Sequence, residues 1–128
     1  MTKYGFQEPE WERGKLEMSL LLRDVARRDE YKRPTITYGE LAPLLTTIRL
    51  EPNDFAMNVM LGEISGEEYE GGRGMLSAVV VNKDTKRPGK GFFKYALELG
   101  REASDEEAFW VGEMRKVRES WNPGGPSK

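Results

Sequence analysis

Neither cysteine nor histidine occurs in this 128-residue chain. Without cysteine there is no disulfide, no thiolate nucleophile and no zinc–sulfur site. Without histidine there is no imidazole base or ligand, so Ser-His and Cys-His catalytic arrangements are excluded. Carboxylate chemistry with a hard metal such as magnesium, lysine or tyrosine chemistry, or no catalysis at all remains. No apolar run approaches the roughly 18–20 residues that cross a bilayer, and no basic, apolar leader opens the chain. The expectation is a soluble, cytoplasmic protein with no membrane association. Net charge is also slight, at −2, so any affinity for a polyanion must come from where charge is placed and not from its total.

What is present supports one folded unit. A hydrophobic share of 38% with three tryptophans is enough for a core, and the length suits a single domain. We assign that domain to residues 1–121 and expect the tail 122–128, NPGGPSK, to be disordered. From about Pro9 to Tyr31 the pattern is helical, with Leu16, Leu20, Leu21, Leu22 and Val25 as the apolar positions. Arg33-Pro34 ends it, because a residue before proline is driven out of the α region. Thr37 and Glu40 form a capping box that opens a short helix from Tyr38 to about Leu45, after a brief β segment at Thr35–Thr37. Asn53 or Asp54 caps a second short helix with Phe55, Val59, Leu61 and Ile64 on its apolar side.

The apolar run Met75 to Val81 reads as a buried strand. A helix over Phe92–Gly100 follows, stopped by Gly100. Ser104 to Glu107 is a second capping box. It opens a final helix in which Trp110, Met114, Val117 and Trp121 recur at helical spacing. This order predicts an α+β, winged-helix-like fold of four to five helices and a small antiparallel sheet with Met75–Val81 at its centre.

Two resemblances attach to these motifs. Ile36–Leu45, ITYGELAPLL, resembles the segment that opens the DNA-binding helical region of alkylguanine alkyltransferases and alkyltransferase-like proteins. That family's Pro-Cys-His-Arg or Pro-Trp-His-Arg segment is absent, so its alkyl-acceptor and lesion-pocket roles pass to no residue here. YGELA, LSAVVVNK and PGKGFF together are similar to a pattern in small uncharacterised bacterial proteins, a likeness that implies no activity.

The chemistry-bearing feature is the turn after Val81. Lys83, Lys86, Arg87, Lys90 and Lys94 are candidate nucleic-acid contacts, enough for about three to five phosphates. Gly89 and Gly91 allow backbone amides close to an anion, and Phe92 or Tyr95 offers a ring on which a base can stack. The structural alternative is an ordinary charged hairpin tip, with lysines keeping an edge soluble and the phenylalanines in the core. The helix after Asp54 is a poor groove reader, since Glu51 to Glu70 holds six acids and no lysine or arginine; phosphates would be repelled.

The leading expectation is therefore a non-catalytic domain that binds nucleic acid through the basic turn and needs no cofactor. A second is a protein–protein adaptor or homodimer using the last helix, with Trp121 and Val117 at the interface. A third is a magnesium-dependent nuclease built on the Asp84-Thr85-Lys86 triplet, with Asp54 as an upstream acid. Gly71–Gly74 leads into the apolar run rather than into a helix with Gly-Lys-Ser/Thr, so it is a connector and no phosphate loop.

Overall fold

In the computed structural model, residues 2–28 and 33–122 are described. The helix end expected at Tyr31 and the tail from residue 123 onward lie outside them. A short antiparallel hairpin, β1 (Thr2–Lys3) and β2 (Phe6–Gln7), turns at Tyr4-Gly5. It leads into α1 (Glu8–Ala26). Next come β3 (Ile36–Thr37), α2 (Tyr38–Leu41) with a 3-10 turn at Ala42–Leu44, and α3 (Phe55–Glu70). A second 3-10 turn, Leu76–Val79, runs into β4 (Val80–Val81), then α4 (Lys90–Glu98) and α5 (Glu106–Trp121). β3 and β4 pair in parallel, Ile36 with Val80 and Thr37 with Val81.

The winged-helix expectation is not met. The chain is mostly helical; its central sheet is one parallel pair, and the only antiparallel pairing among the described residues is the N-terminal hairpin. Of the strand expected over Met75–Val81, only Val80–Val81 pairs as a strand, and all seven residues are buried. The physical reason is that an unbroken apolar run reports burial without fixing conformation. α3 is no surface recognition helix either. Ala56, Met57, Met60, Leu61 and Ile64 are buried on different sides of it, as in a helix enclosed by its neighbours.

α1 buries a different face from the one its leucines suggested. Trp11, Gly14, Met18, Leu22 and Val25 point inward, whereas Leu16 and Leu20 are exposed. Gly14 sets this choice: a Cβ there would lie 2.5 Å from Cγ2 of the buried Ile48. One turn on, Glu17 accepts from the amides and hydroxyls of Thr46 and Thr47 at 2.6–2.9 Å. The loop 42–52 is thus fastened to α1.

Partial burial pushes the Glu17 carboxyl up, but the bonds from Thr46 and Thr47 outweigh it and hold the group at about 2 against the usual 4.5. Because the folded value is the lower one, the unfolded chain binds the extra proton between the two. The stabilisation is complete above about pH 4.5 and disappears as pH falls toward 2. Glu17→Gln should therefore be less stable than the parent at neutral pH, with the gap closing on acidification in denaturant titrations. A gap independent of pH would show that the carboxylate charge does no stabilising there.

The buried segment around Leu76–Val79 has no ladder to satisfy its backbone, and a buried irregular chain needs other partners. Side chains supply them. The Met75 amide donates to Oε2 of Glu113 at 2.8 Å, and the Ser77 amide to Oγ of Ser65 at 3.0 Å. Nε1 of Trp110 donates to the Ala78 carbonyl at 2.8 Å. α1, α3 and α5 all pack on this segment, and the fully buried Met18, Met57, Met60 and Met75 fill the core.

Candidate nucleic-acid interface

Parallel pairing brings the ends of β3 and β4 side by side, and everything that follows them emerges at one end of the molecule. β3 runs into α2 through the capping box: the Glu40 amide donates to Oγ1 of Thr37, and the Thr37 amide to Oε1 of Glu40, both at 3.0 Å. β4 runs into the basic loop and α4. The two are joined where the Gly89 amide donates to the Tyr38 hydroxyl at 3.1 Å. Burial raises the Tyr38 pKa, partly offset by that bond.

The loop is closed by its own hydrogen bonds. The Asn82 amide donates to the Arg87 carbonyl at 2.8 Å, and the Lys86 amide to the Asn82 carbonyl at 2.9 Å. Arg87 N–H also reaches Oγ1 of Thr85 at 3.2 Å. Lys86 reverses the chain with φ +61°, an uncommon conformation outside glycine. So Lys83 and Lys86 sit on a hydrogen-bonded loop that joins β4 to α4, not at the tip of a hairpin.

Lys83, Lys86, Lys90 and Lys94 are all exposed, and none forms an ion pair among the described residues. Arg87 differs. Its guanidinium pairs with Glu107 at the start of α5, so its charge is already answered. α4 has no side-chain cap at Gly89, which leaves its first amides next to Lys90 without a carboxylate or hydroxyl acceptor.

Neither ring of this segment is free to stack. Phe92 is buried against Phe93 and Phe109, with centroids 5.1 and 5.9 Å away, and offers no stacking face. Tyr95 is half-buried; its pKa is raised by burial and by the neighbouring Glu98, Glu63 and Tyr4. The exposed rings near this end are Phe55 and Tyr4, 72% and 47% accessible. The sequence reading missed both as ligand groups: Phe55 was assigned to an apolar helix face, and Tyr4 sits in an unassigned N-terminal stretch.

The interface proposed for the last helix is also revised. Val117 is wholly enclosed by this chain's own core, so it presents nothing to a partner. Trp121 packs partly on that core beneath three arginines, with Arg23 4.5 Å, Arg27 5.6 Å and Arg73 5.9 Å from its ring. Trp11, near the other terminus, is buried as well and donates to Glu63 at 3.0 Å. For the nuclease reading, Asp84 is exposed, and Asp54 accepts from the Glu51 amide at 2.9 Å. No group of three or more acids able to hold a metal occurs among the described residues.

No helix among the described residues is long and apolar enough to cross a membrane. Comparison with protein-family models, curated proteins and solved structures finds no match.

Proposed function

We propose that this chain is a non-catalytic binding domain that contacts nucleic acid through residues 82–87 and the outer face of α4. One observation carries the reading. Four lysines lie unpaired at one end of a chain of net charge −2, Lys83 and Lys86 on a loop that its own hydrogen bonds hold in place and Lys90 and Lys94 on the helix α4 that follows it. A backbone already held in place loses little freedom on meeting phosphates, and each contact releases condensed counterions, so such binding weakens steeply with salt.

The test is anisotropy of labelled oligonucleotides across a salt series. Replacing Lys83, Lys86 and Lys90 together by alanine should lower affinity at low salt roughly tenfold or more. It should also flatten the log–log salt slope by about 2 to 3, the share of three phosphate contacts. All three side chains are exposed, so the fold should survive, as circular dichroism will show. An unchanged slope would remove the loop from the binding surface.

A further inference from the structure

We infer that the nucleic acid held here is an unpaired strand, its bases stacking on Phe55 and Tyr4 while its phosphates follow the lysines. This rests on the nucleic-acid reading above and adds the class of ligand.

The helix pair shows how the two surfaces meet. A Cβ built on Gly91 falls 3.4 Å from Oδ1 of Asn58, and one built on Gly62 falls within the Tyr95 ring. Gly91 faces Asn58 and Tyr95 faces Gly62, each four residues further on, so α3 and α4 run side by side in the same direction. One turn before Asn58 is Phe55; one turn before Gly91 are Arg87 and Pro88. The first residue of α3 and the end of the basic loop therefore occupy the same end of the helix pair.

Phe55 stands out from that end, and its ring meets Tyr4 edge-on with centroids 5.9 Å apart. Tyr4 in turn lies on the buried Trp11 at 5.1 Å, which fixes its position. Its backbone adds a second observation. The two-residue turn Tyr4-Gly5 has φ +54° and +91°, a geometry that favours Asn-Gly or Gly-Gly and disfavours a bulky ring. A half-exposed tyrosine kept in a strained conformation is a feature of ligand sites, where the ring is needed and the strain is tolerated.

Several acids of this region are already engaged, and the two exposed ones without an ion pair among the described residues, Asp84 and Glu98, are outnumbered by the four lysines. Asp54 is turned back on the Glu51 amide, Glu51 lies 3.5 Å from Arg49, and Lys15 engages Glu63 and Glu67 at 3.3 and 2.8 Å. A duplex hides the faces of its bases and is read by an element that enters a groove. Here the helix behind Phe55 is enclosed, so only splayed bases can use these rings. Rings beside a cationic track are the pattern of sequence-tolerant single-strand binding.

The full chain should bind an oligothymidine of about 12 nucleotides, within the usual site size, more tightly than a duplex of equal length. Tyr4→Asn and Phe55→Ser should each weaken that binding about fivefold or more without altering the salt slope. Tyr4→Asn should change the melting temperature little, because the turn that asparagine suits offsets the lost ring contact with Trp11. Equal or tighter duplex binding, with both variants silent, overturns the inference and leaves the nucleic-acid reading intact. Failure to bind either oligonucleotide removes the reading beneath it. A dimer that Phe55→Ser converts to monomer would give the rings to a second copy and also overturns the inference.

Discussion

Alanine at Glu113 is expected to lower folding stability by about 3–5 kcal/mol, the penalty for stranding one member of a buried ion pair. The carboxylate is 3% exposed; one oxygen accepts from Arg101 at 2.6 Å, the other from the Met75 amide at 2.8 Å. Arg101 is held between Tyr69 and Phe109, 4.5 and 5.0 Å from their rings, so it cannot swing freely into water. Truncation leaves a cation without its partner and a buried N–H without an acceptor, and neither loss is relieved by collapse of the site. Glu113→Gln, which keeps an acceptor but no charge, should fall between the parent and alanine. Urea unfolding measures both, with an unchanged m-value marking a true stability change. A loss under about 1 kcal/mol for alanine would mean that the network is only a surface-like pair.

Trp11→Ala is expected to cost a similar amount, about 3–5 kcal/mol. Trp11 is fully buried, donates to Glu63, and carries Tyr4 and Phe6 at 5.1 and 6.0 Å. Its removal empties the core beneath the β1–β2 hairpin, so hairpin and helix should loosen together. Trp11→Phe retains most of the volume and loses the hydrogen bond, for a smaller loss of about 1–2 kcal/mol. Thermal melts of the two variants separate packing from hydrogen bonding. Equal losses would show that the bond to Glu63 dominates. Because Trp11 also seats Tyr4, weaker strand binding by Trp11→Ala would be no test of stacking, whereas Tyr4→Asn is one.

Local chemistry was the legible part of the sequence. The Thr37–Glu40 box forms as spacing required, and Gly100, at φ +80°, closes α4 with Arg101 N–H on the Ala96 carbonyl. The Trp110–Trp121 stripe of α5 was legible as a period, but all four residues pack inward, including Val117 and Trp121, which the interface reading gave to a partner. The cap of α5 shifts by one residue: Asp105 takes the Ala108 amide, while the Ser104 amide turns to Glu102. Both side chains are adequate caps, and nothing local chooses between them.

What stayed hidden is tertiary. α1 offered a leucine stripe and a Trp11–Met18–Val25 stripe, and the close approach of Ile48 to Gly14 settled which one turned inward. The run Met75–Val81 looked like a strand because β-branched residues crowd its end. Its amides found side-chain acceptors on other helices, which no window along the chain can reveal. The lysines could be located by eye, but their freedom from acids, and the pairing of Arg87 with Glu107, depend on where α5 begins. The exposed rings depended on which helix lay beside α4.

The turn at the centre of this bundle also bears on how such a chain can diverge. The apolar residues around it are exchangeable within a volume limit, the methionines most readily because their unbranched side chains adapt to their surroundings. Ser65, Trp110 and Glu113 are not, because each completes a main-chain valence that water cannot reach. Descendants of this sequence should therefore drift freely in their oily positions while these three polar anchors change only in concert with the residues they hold.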